Sequence, residues 1–252
     1  MRGYFTFNNI RSDQHGVYIS GNETYSAPSK RYNFFDIPNR NGKILGNERK
    51  LENLQVTYDA FIAGGANFAT NMEYLRNWLL SVDGYAKLSD SYHTDEYRMA
   101  VFEGPFNPKV QENKTENGFD GAKFTLTFNC MPQRWLTSGD TETEITGTSS
   151  VTFTNPTMFQ SKPWFRAYGT GTFSVNGTYA VTVLSSYTNS YIDIDCETME
   201  ASYNGTPMNE YVEITVGSNT SVDYPFFKTG SNTIVKPAGF SKLIVKPRWW
   251  KV

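Results

Sequence analysis

The chain has 252 residues, which is enough for one large domain or two small ones, each with its own core. Its 23 basic and 25 acidic residues give a formal charge of −2, which excludes a bulk electrostatic attraction to nucleic acid or to anionic lipid. No run of about 18 apolar residues is present and the first residues lack an apolar signal core. We therefore expect no membrane span and folding in a cytoplasm.

Short segments that alternate apolar and polar residues dominate the first half of the chain, as half-buried strands do. Residues 4–8 and 17–19 follow this pattern, and residues 50–63 are mostly strand-like. Many aromatic, Thr and Asn residues, with little Ala or Leu, are typical of a β-rich composition. The sequence therefore predicts a mainly β fold.

Residues 31–37 form a further predicted strand, which ends abruptly at Pro38. Pro38 has no amide hydrogen to donate to a sheet, and Asn41-Gly42 favours a tight turn with positive φ. Apolar residues resume at Ile44, so the segment predicts a projecting hairpin. On spacing alone, this hairpin is a solvated surface turn.

One segment of the chain has a helical period. Phe68, Met72, Leu75 and Leu79 recur at spacings of three and four residues, and Asn67 or Thr70 could cap the start. We expect one helix near residues 68–81 with these four side chains buried.

A polar turn over residues 89–96 follows the helix. Asp90, His93, Asp95 and Glu96 could form a metal cluster, but a solvated tip between two strands has the same composition. We predict the solvated tip, with no metal and no cofactor. A strand over residues 122–130 then alternates almost ideally and should have one buried face.

The best domain boundary lies at residues 137–150, where Ile145 is the single large apolar residue. Residues 1–135 hold 15 basic and 15 acidic residues, and residues 136–252 hold 8 and 10. We predict an N-terminal domain over 1–136, a linker over 137–150 and a C-terminal domain over 151–252. The latter contains many short alternating segments with turn signals such as Asn176-Gly177, which predict an antiparallel β-sandwich or jelly roll.

Few residues suggest a catalytic or metal-binding role. Cys130 and Cys196 are too few for a disulfide framework or a zinc site, so we expect buried free thiols. Asp193 and Asp195 share one strand face and could be a glycosidase pair, although strand geometry alone places alternate side chains together. With only two histidines, no catalytic triad is suggested. We predict that the protein is not an enzyme.

Three tryptophans are candidates for stacking against sugars: Trp164, Trp249 and Trp250. Such side chains lie more often in a sandwich core or a subunit interface. A host-surface carbohydrate-binding protein that acts through the C-terminal domain is therefore the alternative function.

Several blocks, taken together, resemble the distal tail protein of long-tailed, non-contractile bacteriophages. In the first half they include Ala27-Pro28-Ser29-Lys30-Arg31, the hairpin at 37–42, Gly84-Tyr85-Ala86-Lys87-Leu88 and residues 124–135. In the second half they include residues 155–156, 161–163, 193–196 and 230–234. Their order covers essentially the whole chain. Asn39 stands where that family usually has glycine, but asparagine also tolerates positive φ.

The resemblance implies an N-terminal domain that closes into a hexameric ring and a C-terminal galectin-like β-sandwich, in a short form without an inserted carbohydrate-binding module. The ring would be a structural hub at the distal end of the virion tail, assembled in the host cytoplasm. Its implied partners are the tail tube protein, a tail-associated fibre or lysozyme-like protein, and in some cases receptor-binding proteins. DNA would pass through the lumen without specific binding. In such a ring the projecting hairpin is well placed to reach the next subunit, so the candidate interface residues are Ile37, Pro38, Asn39, Arg40, Asn41 and Gly42.

Overall fold

The computed structural model describes residues 2–20, 26–63, 67–111, 121–147, 149–217, 219–220 and 223–252. The chain forms two compact units. The first comprises Met1–Arg134 with Val252, and the second comprises Trp135–Lys251.

Among its described residues, the first unit contains one large antiparallel sheet, one α-helix and a separate two-stranded hairpin. Its elements are β1 (Phe5–Phe7), β2 (Ile10–Arg11), β3 (Val17–Ile19), β4 (Lys30–Asp36), β5 (Lys43–Leu51), β6 (Leu54–Ile62), α1 (Phe68–Leu80), β7 (Ala86–Asp90), β8 (His93–Phe102), β9 (Lys109–Gln111) and β10 (Gly121–Leu136). Neighbouring strands in the sheet follow the order β2-β1-β7-β8-β10-β6-β3, and β9 also pairs with β10. The hairpin consists of β4 and β5 alone.

Alternation along β6 and β10 produces the core of this unit. The two strands pair antiparallel, with Phe128 opposite Val56 and Leu126 opposite Tyr58, and these side chains point into the core. Thr57 and Thr127 lie on the other face, where their hydroxyl oxygens are 3.1 Å apart. The predicted alternation of residues 122–130 is thus confirmed.

The predicted helix is also present, as α1. Its buried side chains are Met72, Leu75, Trp78 and Leu79, whereas Phe68 is only partly buried. Trp78 is buried as well, and its ring stacks on Phe5 with centroids 5.5 Å apart. In the described parts of the chain, no helix has the length and apolar character that a membrane crossing requires.

The second unit is built from two six-stranded antiparallel sheets that enclose one core. One sheet has the order β11-β22-β13-β16-β17-β18 and the other β12-β21-β14-β15-β19-β20. Their strands are β11 (Thr143–Thr146), β12 (Ser149–Asn155), β13 (Trp164–Gly169), β14 (Gly171–Val175), β15 (Tyr179–Val183), β16 (Ile192–Asp195), β17 (Glu200–Tyr203), β18 (Thr206–Pro207), β19 (Val212–Val216), β20 (Asn219–Thr220), β21 (Gly230–Lys236) and β22 (Phe240–Lys246). A last short strand, β23 (Trp250–Lys251), follows β22 in the sequence.

Local chemistry explains the turns and the core of this unit. Asn176 and Gly177 join β14 to β15 with φ angles of 57° and 64°, as the sequence predicted for a two-residue hairpin turn. Phe165, Phe173 and Phe227 are fully buried between the sheets. The predicted mainly β fold with an antiparallel sandwich is confirmed.

The stretch predicted to be a linker contains regular structure. Strand β11 lies within it and pairs with β22, and Ile145 is only 1% exposed. A single large apolar residue among Thr and Glu gave too weak a signal for a strand, but it is enough when a neighbouring strand covers it. The structural division falls between Arg134 and Trp135, two residues before the predicted boundary.

Candidate functional site: an exposed hairpin arm

Residues 30–51, named the arm below, project from the first unit as an isolated hairpin. Every residue of β4 is exposed to solvent. The arm is held internally by strand pairing, with Asp36 opposite Lys43 and a 3.4 Å contact between their charged groups. This feature contains the predicted contact residues 37–42.

Large apolar side chains lie on both faces of the arm. Phe34 is 61% exposed and lies opposite Leu45, which is 51% exposed. Phe35 and Ile44 form the next pair, at 57% and 47%, and alternation places them on the opposite face. Tyr32 is also exposed, with its ring 6.3 Å from that of Phe34.

Small residues shape the arm. A Cβ atom on Gly46 would lie 2.6 Å from the Phe35 ring, so glycine leaves the space in which that ring lies across the hairpin. At the tip, Asn39 and Gly42 have φ angles of 63° and 86°. The expectation that Asn39 tolerates positive φ is confirmed. Arg40 is exposed, and its backbone NH donates to the Ile37 carbonyl at 3.3 Å.

An isolated hairpin of this kind is at best marginally stable in water, because none of the residues that the structure describes covers its apolar side chains. Exposed apolar patches on soluble proteins mark sites of interaction with other molecules. The arm can therefore act as a docking element, with neither of its faces covered by the described residues of this chain.

The sequence identified the tip of the arm but not the exposure of its two strands. The available signal was the Phe34-Phe35 pair, since adjacent large side chains point to opposite faces of a strand. A strand with one buried face does not need apolar residues on both sides. This pattern, with Ile44-Leu45 on the partner strand, distinguishes the arm from β6 and β10.

The three candidate sugar-stacking tryptophans do not form a platform. Trp249 is 5% exposed and packs in the core of the second unit, with its ring centroid 5.5 Å from Phe227. Its backbone passes so close to Gly139 that a Cβ atom there would lie 2.2 Å from the Trp249 nitrogen. Trp249 therefore lies in the sandwich core, which the sequence left open as the more common position, and not on a binding surface.

The other two rings are already in contact with neighbours. Trp164 lies below two cations, with the Arg166 guanidinium carbon 5.1 Å and Lys246 Nζ 4.9 Å from its centroid. Trp250 stacks on Phe159 at 4.4 Å and donates its indole NH to the Gln160 carbonyl. Each of these rings therefore already makes contacts within the chain.

The two strand carboxylates each form a bidentate pair with an arginine. Arg166 donates to Asp193 at 2.6 and 2.9 Å, and Arg248 donates to Asp195 at 2.6 and 2.8 Å. Their shared face was predicted correctly, but the arginine partners were not. Burial favours the protonated form of Asp195, yet the Arg248 hydrogen bonds outweigh it and lower the pKa of this carboxyl. A general acid needs a raised pKa, so Asp195 is set up for an ion pair rather than for proton donation.

We expect Asp195→Asn to destabilise the protein by about 1–2 kcal/mol near neutral pH, because Arg248 loses its charged acceptor. The folded pKa of Asp195 lies below its unfolded value, so its contribution is present above the unfolded pKa of about 3.9 and is lost as the pH falls through the folded pKa. Urea unfolding at pH 7 and at successively lower pH should therefore show a difference from wild type that narrows in acid.

Glu210→Gln is the matched control, since Glu210 is an exposed carboxylate of the same unit. It should change stability little at either pH. An Asp195→Asn loss that is equal at all pH values would contradict the ion-pair explanation.

The predicted polar tip is more buried than expected. Asp90 accepts hydrogen bonds from the Tyr58 hydroxyl at 2.9 Å and from the His93 backbone NH at 2.9 Å. Glu96 is buried and pairs with Arg134, whose Nε lies 2.5 Å from Oε1. The solvated-tip prediction is wrong for these two carboxylates, because the alternation of β8 turns Glu96 inward. Within the described residues, no group of three or more His, Cys, Asp or Glu side chains is arranged to hold a metal ion.

Both cysteines are buried free thiols, as predicted. Burial raises the pKa of Cys130 to about 12 and that of Cys196 well above its ordinary value. Thiols that remain protonated at neutral pH are poor nucleophiles and poor metal ligands.

Comparison with known proteins gives one informative result. No protein-family description matches the sequence, and no curated protein sequence matches it. Among solved structures, the crystal structure of the SPP1 Dit (gp 19.1) protein matches over 100% of both chains, with a TM-score of 0.64 and 16% sequence identity. That protein is described as a paradigm of hub adsorption apparatus in phages that infect Gram-positive bacteria. Because the match covers all of both chains, it agrees with the predicted short form without an inserted module. The chain has the Dit-like fold that the residue blocks predicted.

Proposed function

We propose that this protein is the structural hub of a long, non-contractile phage tail tip, where it forms a hexameric ring. The observation that carries the proposal is the end-to-end match of both units to a protein of a phage hub adsorption apparatus. The exposed arm supports it independently, because the arm requires a binding partner and a ring supplies one to every copy.

The exposed apolar surface of the arm is of the size that an interface uses. An aromatic side chain carries about 150–250 Å² and Ile or Leu somewhat less. The five side chains are 38–61% exposed, so together they present roughly 500 Å². A standard interface covers about 800 Å² on each partner. The arm therefore supplies more than half of one side of such an interface.

Charge indicates what the arm binds. The arm contains six basic and two acidic residues, whereas the rest of residues 1–135 contains nine basic and thirteen acidic residues. The formal charges of the two parts are thus +4 and −4. Opposite charges guide association and favour one partner over others, so the body of a second copy of this chain is a complementary surface for the arm.

In this arrangement the ring joins the tail tube protein to a tail-associated fibre or lysozyme-like protein, with receptor-binding proteins at its periphery. DNA passes through the lumen at ejection. Equal numbers of basic and acidic residues over residues 1–135 support this role, because a strongly basic channel would retain the DNA.

Light scattering and negative-stain electron microscopy of the purified full chain test the proposal. We expect ring-shaped particles with six times the 28.6 kDa mass of one chain. A chain that stays monomeric at high concentration, both alone and when mixed with the tail tube protein of the same phage, would contradict it.

The same geometry disfavours the alternative function, a host-surface carbohydrate-binding protein. One of its three tryptophans is in the core and the other two are stacked on neighbouring groups. Glycan-array binding that is abolished by Trp164→Ala would reverse this judgement.

Arg40 provides a specific test of the arm. We expect Arg40→Ala to weaken self-association by about 1.5–3 kcal/mol, because a guanidinium at the tip can make charge-assisted hydrogen bonds to a carboxylate of the next copy. Sedimentation velocity over a concentration series measures the change. Lys228→Ala is the control, since it removes an exposed cation from the second unit.

Salt should modulate the same contact. Raising the ionic strength from about 0.1 M to about 1 M shortens the Debye length from about 10 Å to about 3 Å, so wild-type association should weaken more than that of Arg40→Ala. If Arg40→Ala assembles into rings as the wild type does at all salt concentrations, residues 37–42 form a solvated turn and not a subunit contact.

A further inference from the structure

A small cavity, partly open to solvent, is lined by strands of the first unit and by no residue of the arm. Its volume is about 20 Å³. Strands β6, β7, β8 and β10 supply its lining, which includes Val56 and Leu88 together with the polar side chains of Tyr58, Asp90, His93, Glu96, Arg98 and Arg134. Such a charged layer is unusual within a core, since buried charges are costly unless each is compensated.

Most charges in this layer are paired. Asp90 lies 3.2 Å from His93 Nδ1 and accepts the hydrogen bond of the Tyr58 hydroxyl, and Glu96 pairs with Arg134. Burial with the neighbouring Asp90 raises the pKa of Tyr58 well above its ordinary value, so this hydroxyl stays protonated and donates.

Arg98 also contributes a buried charge to this layer. It lies on the buried face of β8 and is only 9% exposed. The Nη1 atom is buried and has no hydrogen-bond partner in the described part of the chain. A buried N–H group without an acceptor costs about 1–3 kcal/mol, and more when it is charged, so an acceptor in the adjacent cavity would remove a substantial penalty.

The size and charge of the cavity select the ligand. A cavity needs about 10–15 Å³ to hold one water molecule, and this one meets that requirement. The formal charges of the two guanidinium groups and the two carboxylates of the lining balance. A halide would therefore introduce an uncompensated negative charge into the layer, whereas water would accept from Arg98 without changing the balance.

We propose that this cavity is a binding site for one structural water molecule, which accepts a hydrogen bond from Arg98 Nη1. The water can donate in turn to the carboxylates of the lining, so it completes the charged layer rather than filling an apolar void. The site rests on the first unit alone and does not depend on ring formation or on any tail protein.

Crystals of the full chain grown in bromide salt distinguish the possible ligands. We expect a density peak about 2.7–3.2 Å from Arg98 Nη1 that carries no bromine anomalous signal. An anomalous peak at this position would identify a halide site and overturn the proposal. An empty cavity in a well-ordered map would overturn it as well.

A solution measurement checks the same site without crystals. Oxygen-17 relaxation dispersion counts water molecules that remain bound for long times. Arg98→Met, an apolar replacement of similar length, should hold one such water fewer than wild type, provided that circular dichroism shows the same fold. An equal number in both proteins would contradict the proposal, and a variant that fails to fold leaves the crystallographic test decisive.

Discussion

Replacing Phe34 and Leu45 together by serine will leave this chain folded but largely monomeric. The two side chains lie opposite each other on one face of the arm and are already exposed in the isolated chain. Burial of each against a partner contributes about 1.5–3 kcal/mol. Their joint loss should therefore weaken association by a factor of at least about 100, measured by light scattering and sedimentation, while the unfolding midpoint changes little.

The second face of the arm can be tested separately with Phe35→Ser and Ile44→Ser. We expect the same loss of assembly if a partner covers both faces. Met158→Ser is the control, since Met158 is 91% exposed but lies in the second unit. Assembly that survives in both arm variants would show that subunits contact each other elsewhere.

Replacement of Trp249 by alanine should destabilise the second unit by about 3–5 kcal/mol, the usual cost of removing a large aromatic side chain from a core. Its ring packs against Phe227, and its backbone NH lies against Gly139, so the surrounding structure has little freedom to collapse into the space. Urea unfolding followed by circular dichroism measures the change without relying on tryptophan fluorescence.

Trp250→Ala is the matched control in the neighbouring position. Its ring is half-buried and stacks on Phe159. Aromatic stacking of this kind contributes about 0.5–1.5 kcal/mol to stability in addition to the burial of surface area. We therefore expect a clearly smaller loss than for Trp249→Ala. A Trp249→Ala variant with wild-type stability would contradict the core position and would restore the binding-surface interpretation.

Elements with a regular period were predictable from the sequence. The spacing of Met72, Leu75 and Leu79 identified α1, and alternation identified β10, because each pattern repeats often enough to indicate which face is buried. Asn176-Gly177 identified a hairpin because few residues tolerate two successive positive φ angles. In each case the information lies within a few consecutive residues.

The features that the sequence did not predict depend on residues that are distant from each other along the chain. Arg166 and Arg248 reach Asp193 and Asp195 only because β13 pairs with β16 and the segment after β22 passes nearby, and strand order is not encoded locally. Trp249 followed by Trp250 shows the same limit. The adjacent rings must point in opposite directions, but Arg248 has a φ of 56° and interrupts the alternation that would show which one is buried.

The two-sided arm has a consequence for the route of assembly. In an open row of copies, each joined to the next through its arm, one terminal arm is left with its aromatic side chains in water. Only a closed ring leaves no arm uncovered. The contact that closes the ring therefore covers the terminal arm that every shorter row exposes to water. Partial rows should accordingly be scarce at equilibrium, and the mass distribution of the protein should contain chiefly free chains and complete rings.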